Sequence, residues 1–227
     1  IIMKRFLAAV VAVTTALALT ACGSSSTNTT TDDKSAESTD DTTYKIGVLQ
    51  LTQHAALDKA NEGFIAALDE SGIKYEVDQQ NASGEQSACQ TIAEKLVNDG
   101  NDLIYAIATP AAQAVAGVTS EIPIVLSAVT DPAESGLVAS NDAPGGNVTG
   151  TSDLTPVKEQ IELLKQILPD AKTVGILFCS SESNSEIQAA MAREACEANG
   201  LEHIDFTVSS SNEIQTVVES MVGKVDV

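Results

Sequence analysis

The chain has 227 residues, 43% of them apolar, with 32 acidic against 12 basic residues and a net charge of −20. A surface of that sign repels polyphosphate, which excludes nucleic acid as a partner. Four cysteines and two histidines stand in no metal-ligand spacing, so no metal site and no cofactor are expected.

The first element is an export signal. Lys4 and Arg5 precede an apolar run from Phe6 to Leu19, about fourteen residues, which is signal-peptide length and short of the ~20 that span a bilayer. The run closes on Leu19-Thr20-Ala21-Cys22, which resembles the bacterial lipobox. Residues 1–22 are therefore expected to be a lipoprotein signal in which the Cys22 thiol takes diacylglycerol; an ordinary secretory cleavage site with an incidental cysteine is the alternative. Ile1 and Ile2 precede Met3, the expected start. Without Lys4 and Arg5 the exported part carries 10 basic against 32 acidic residues, a net −22. Residues 23–43 are Ser, Thr and Asp with almost nothing apolar, too little to offset ordering entropy, and read as a disordered tether.

From Tyr44 short apolar runs alternate with helical ones. Residues 45–51 read as a strand, and 55–72 as a helix with Leu57, Phe64, Ile65 and Leu68 on one period and Gly72 as its stop. Strand 73–80, helix 85–100, strand 102–108, helix 109–118 and strand 122–129 follow, then a turn-rich stretch, 130–136. The pattern predicts an α/β fold with parallel strands flanked by helices. Residues 144–156 read as a turn where one lobe, 44–155, gives way to a second, 156–227.

The second lobe repeats the first: helix 157–170 with Ile161, Leu164, Ile167 and Leu168 on one face, strand 172–178, helix 185–200 and strand 201–208. Ile46 and Val174 open corresponding strands, and each is followed 26 residues later by a helix-terminating glycine, Gly72 and Gly200. Gly100-Asn101-Asp102-Leu103-Ile104 then corresponds to Gly223-Lys224-Val225-Asp226-Val227, so Val225–Val227 is expected to open a further strand, matching the start of 102–108, in an incomplete second lobe.

In parallel sheets ligands bind at the carboxyl ends of strands, beside helix N-termini. Those edges carry Gln50, Thr52, Gln53 and His54; Thr109, Pro110 and Gln113; Ser127, Thr130 and Asp131; and, in the second lobe, residues 180–185. Thr109 before Pro110 reads either as a plain helix cap or as a cap that also receives a carboxylate. His54 is open to three readings: ligand contact, satisfied surface histidine or general base. Asp131 is a turn residue or the partner of a ligand ammonium. Cys89, Cys179 and Cys196 read as small apolar side chains, with a Cys179–Cys196 bridge left open. Hydroxyl and amide loops without a convergent acid–base pair suit binding better than catalysis.

The stretches "GVLQLTQHAALDKANEGFIAALDESG", "ATPAAQA", "IPIVLSAVTDPAESGLV", "PGGNVTGTSD" and "VGILFCSSESNS" resemble the ABC-transporter substrate-binding lipoprotein family, which includes binders of tryptophan and other aromatic amino acids. The resemblance spans residues 44–227. It implies a two-lobed type I periplasmic-binding fold and a monomer anchored to the extracytoplasmic face of the membrane through Cys22. It also implies capture of a small solute, an amino acid, and its delivery to an ABC permease and ATPase with no chemistry on it. Carried over by position, it places Gln53, His54, Thr109, Pro110, Gln113, Ser127, Thr130 and Asp131 in the cleft from the first lobe, and Ser183, Asn184 and Ser185 from the second. Phe178-Cys179-Ser180 departs from the Tyr and Asn that related chains often have there. Two alternatives remain: a cofactor-independent amino-acid racemase with one cysteine from each lobe, for which Cys179 is the candidate, and a ligand-sensing surface domain.

Overall fold

The computed structural model describes residues 42–227. The expected signal, Cys22 and nearly all of the expected tether lie outside the described residues.

β1 (Thr43–Gln50), β2 (Lys74–Asn81), β3 (Leu103–Ile107), β4 (Ile124–Val129) and β5 (Val148–Ser152) form one sheet in the order β2-β1-β3-β4-β5, with every neighbouring pair parallel. The middle strands are apolar at successive positions because both of their faces are covered. Val48, Tyr105 and Ile107 pack beneath α1 (Ala55–Ser71), where the Phe64 ring stacks on Tyr105 at 4.0 Å between centroids. Leu49, Ile104, Ala106 and Leu126 join the other core, under α2 (Gln86–Asn98) and α3 (Thr109–Val118). Each fully buried Leu or Ile contributes about 1.5–3 kcal/mol, so these two cores hold the sheet.

β5 was not expected. Residues 144–147 form the anticipated turn, but Val148–Ser152 adds the edge strand, and Asn147 fixes the turn by donating to the Thr119 and Ile122 carbonyls. Gly150 is what permits the pairing: a Cβ there would lie 2.4 Å from the Leu126 carbonyl oxygen. The Val-Thr-Gly-Thr-Ser composition of β5 reads as turn because the apolar signal of a central strand is missing from an edge.

The second body repeats the plan. β6 (Thr173–Cys179) pairs in parallel with β7 (Glu202–Val208). On one face Val174 and Ile176 pack against Ile161 of α4 (Val157–Ile167) and against Ala189, Ala195 and Cys196 of α5 (Ser183–Ala198). Gly175, pointing the other way, meets Met221 of α6 (Ile214–Met221). Two of the four apolar residues expected on the buried face of α4 are not buried: Ile167 is 66% exposed and Leu168, 42% exposed, is already the C-cap. Pro169 ends the helix there, before its last turn reaches the core.

The repeat extends to individual hydrogen bonds. Asp102 N–H donates to the Lys45 carbonyl at 2.8 Å, while its carboxylate accepts from Lys45 N–H. In the second body Asp226 N–H donates to the Thr173 carbonyl at 2.9 Å, and its carboxylate accepts from Thr173 N–H and Lys172 N–H. Gly175 N–H then donates to the Val227 carbonyl, so residues 225–227 run alongside β6 as Leu103 onward runs alongside β1.

Candidate functional site

Because all five strands of the first sheet run the same way, their carboxyl ends share one rim. The backbone strain of the described residues gathers there. Ala108, the residue between β3 and α3, has φ 84° and ψ 151°, a region otherwise left to glycine. Ala128 has φ 54° where the β4–β5 register shifts, and Ser83 has φ 55° between β2 and α2. The shift at Ala128 bends the chain and aims Thr130 and Asp131 away from the ladder.

Thr109 is not the cap of α3. It is the first helical residue, Ala108 stands in the cap position, and no side chain caps the helix. The Thr109 side chain is instead 1% exposed, and its Oγ1 finds no hydrogen-bond partner in the chain. An unpartnered buried hydroxyl costs about 1–3 kcal/mol, which a helix cap would have avoided. Pro110, also buried, is the second residue of the helix. Gln113, one turn on, is half-buried and donates from Nε2 to the Ser135 carbonyl at 3.1 Å. Ser135 Oγ is a second buried hydroxyl without a partner. Nothing in the sequence distinguished Ser135 from the other turn residues of 130–136; only the packing of that loop on α3 does.

Asp131 does serve its turn, since Oδ1 accepts from Ala133 N–H, Glu134 N–H and Asn141 Nδ2. The Asn141 bond first, and those two amides after it, hold its carboxyl below the usual aspartate range, so it is ionised at neutral pH. Thr130 is buried, and its carbonyl accepts from Ser152 Oγ at 2.6 Å. Ser127 is half-buried within β4, opposite Ile107 of β3, and the nearby Tyr105 hydroxyl, whose phenol burial pushes up, donates to the Ala60 carbonyl at 3.4 Å. Gln53 is exposed on the β1–α1 loop. His54 caps α1, its Nδ1 accepting from Ala56 N–H at 3.2 Å.

From the second body α5 brings its first turn to the same rim. Ser183 Oγ lies 3.1 Å from Gln113 Nε2, Asn184 Oδ1 is buried without a partner, and Ser185 Oγ reaches Glu182 at 3.5 Å. The helix begins two residues earlier than expected, at Ser183, with Glu182 in the cap position. Gln113 thus links the Ser135 loop to Ser183 of α5, with the buried Thr109 one turn before it in α3 and Asn184 next to Ser183. A cavity of about 510 Å³ lies to one side, lined mainly by apolar residues of β6, α4 and α5, and takes in Ser185 but none of those five.

Cys89, Cys179 and Cys196 are free thiols, so Cys179 and Cys196 are not bridged. Cys89 and Cys196 are buried within α2 and α5, and burial pushes both thiols up. Among the described residues no second cysteine therefore faces Cys179 across the rim, as a two-thiol racemase requires. Among the described residues no His, Cys, Asp and Glu cluster fits a metal ion, and no helix is long and apolar enough to cross a membrane.

Two successive α/β bodies, each with parallel strands flanked by helices, define the type I periplasmic-binding fold. Residues 45–227 match the family model described as ABC transporter substrate binding protein, and the chain belongs to that family. It is 44% identical over 196 residues to a tyrosine-binding protein of Clostridioides difficile, covering 84% of this chain and 57% of that one. A solved Streptococcus pneumoniae ABC domain in complex with L-Trp is 43% identical, with a TM-score of 0.77 over 82% of this chain and 64% of its own. The ligand-free, open structure of CD0873, a substrate binding protein from Clostridium difficile, is 42% identical with a TM-score of 0.58 over 81% of this chain and 63% of its own. The chain thus spans less than two thirds of the length of these relatives.

Proposed function

We propose that this chain is the solute-capturing part of an ABC importer, tethered through a diacylglyceryl Cys22 to the extracytoplasmic face of the membrane. It holds an amino acid, preferably an aromatic one, between its two bodies and hands it unaltered to a permease served by an ATPase. The observation that carries the reading is the buried, unpartnered Thr109 hydroxyl at the N-terminus of α3. A helix N-terminus favours negative charge, and a hydroxyl beside it supplies the directional donor that a carboxylate needs. Ser135 Oγ adds a second donor, and the acceptors Asn184 Oδ1 and ionised Asp131 suit the ammonium. A zwitterion matches that order of donors and acceptors. The preference for an aromatic side chain is supported by the tyrosine-binding relative and the L-Trp complex, at 44% and 43% identity. Phe178, near the carboxyl end of β6, is the nearest ring in sequence to the candidate residues of α5.

The test is thermal melting of the full chain with each of the twenty amino acids at saturating concentration. L-Tyr or L-Trp is expected to raise the midpoint by several degrees, as a ligand at 100 times its Kd stabilises by about 2.7 kcal/mol. No shift with any of them refutes amino-acid capture.

A further inference from the structure

We propose that Gln113 and Ser183 form a pin that sets how often the two bodies close on each other. Gln113 Nε2 lies 3.1 Å from Ser183 Oγ, and that hydroxyl is 3.3 Å from Gln113 Oε1, so one serine meets both ends of one amide. The same Nε2 also donates to the Ser135 carbonyl at 3.1 Å, which holds the long glutamine side chain in place on its own body before it reaches across. Ordering that side chain in advance removes most of the rotamer entropy that a free glutamine loses on closing.

Two further bonds cross between the bodies, Gln86 Nε2 to the Ser181 carbonyl at 2.6 Å and Thr155 Oγ1 to Gln188 Oε1 at 2.8 Å. The first ends on a backbone carbonyl, which tolerates any side chain at 181. The second lies next to the segment joining the bodies. Among the described residues the Gln113–Ser183 pair alone joins α3 to α5 through side chains, one turn after the buried Thr109 and next to the buried Asn184 Oδ1. The overall arrangement also differs in its likeness to two relatives of nearly equal identity: the TM-score is 0.77 to the L-Trp complex and 0.58 to the ligand-free, open structure. The pin belongs to the arrangement that the first of these shares. Opening breaks it, and a neutral hydrogen bond of this kind shifts an equilibrium about threefold to tenfold.

The pin rests on the two-body fold, and only the second arm of its test rests on amino-acid capture. Dyes attached through p-azidophenylalanine at exposed Glu70 on α1 and exposed Glu194 on α5 report closure in single-molecule energy transfer in the full chain. Gln113→Ala and Ser183→Ala are each expected to lower the closed-to-open ratio about threefold to tenfold. The double variant is expected to fall no further, because both singles remove one shared contact. Ser183→Thr, which keeps the hydroxyl, should restore the ratio, and Gln90→Ala, which removes a bond to Glu94 within α2, should leave it unchanged. An unchanged ratio in either single variant, or additive losses in the double, overturns the pin. In the second arm L-Tyr is expected to leave Gln113→Ala about threefold to tenfold faster than the unaltered chain. If the unaltered chain binds neither L-Tyr nor L-Trp, the amino-acid reading falls and energy transfer still decides the pin.

Discussion

Replacing Thr109 by Val separates the cost of the site from its use. The two side chains have nearly the same shape and similar helix propensity, so the exchange removes the hydroxyl and little else. In the folded chain that hydroxyl is 1% exposed and has no partner, and its loss removes a desolvation penalty of about 1–3 kcal/mol. Taking the lower figure, the midpoint of thermal unfolding should rise by about 2–4 °C for a chain of this size. Binding should move the opposite way, because a hydrogen bond to a charged carboxylate contributes about 1.5–3 kcal/mol, or about 10- to 150-fold in Kd. The assay is differential scanning calorimetry of the ligand-free chain, with isothermal titration of L-Tyr and L-Trp alongside. Thr109→Ser, which keeps the hydroxyl, should bind within a few fold of the unaltered chain. A variant that melts lower shows that Oγ1 has a partner in the fold. One that melts higher and binds equally well shows that the hydroxyl is not a ligand contact.

Two further outcomes follow from the first sheet and its loops. Gly150→Ala should destabilise the chain by about 3 kcal/mol, the upper end for overpacking, because its Cβ would meet the backbone of Leu126 at 2.4 and 2.5 Å where no rotamer can yield; urea unfolding with an unchanged midpoint would refute the close approach. Asp131 has a carboxyl held down in the folded state, so below the usual carboxylate range the unfolded chain binds more protons, and stability falls as pH falls there. Asp131→Asn should flatten that acid limb in unfolding curves taken between about pH 5 and pH 2, and an unaltered slope would show that the carboxylate is not stabilised by its turn.

The alternation of strand and helix, and the repetition of one lobe by the next, are legible in the sequence because they depend on apolar period and glycine spacing. The glycine spacing sets Asp102 opposite Val225, one residue short of Asp226, whereas the hydrogen bonds put the Asp102 and Asp226 carboxylates on corresponding backbone amides of β1 and β6. β5 escaped because an edge strand with Gly150 at its centre has the composition of a turn. The rim was legible only as a set of strand ends. Thr109 looked like a cap since Thr-Pro commonly opens a helix, but Ala108 takes the strained position and frees the hydroxyl. Ser135 carries no local signal, and its burial depends on a loop folding back onto α3, a contact between residues 22 apart in the chain.

The parallel order of the first sheet divides labour along the strand axis. At the amino ends sit groups already committed to the backbone, such as the Asp102 clamp on Lys45. At the carboxyl ends sit positive φ angles and polar atoms that the chain itself does not satisfy. On the proposed reading, substitutions in the loops at the carboxyl ends can change the solute without touching the foundations of either body. A comprehensive substitution library sorted first for expression and then for uptake should split along that axis, with expression lost from one pole and solute choice altered at the other.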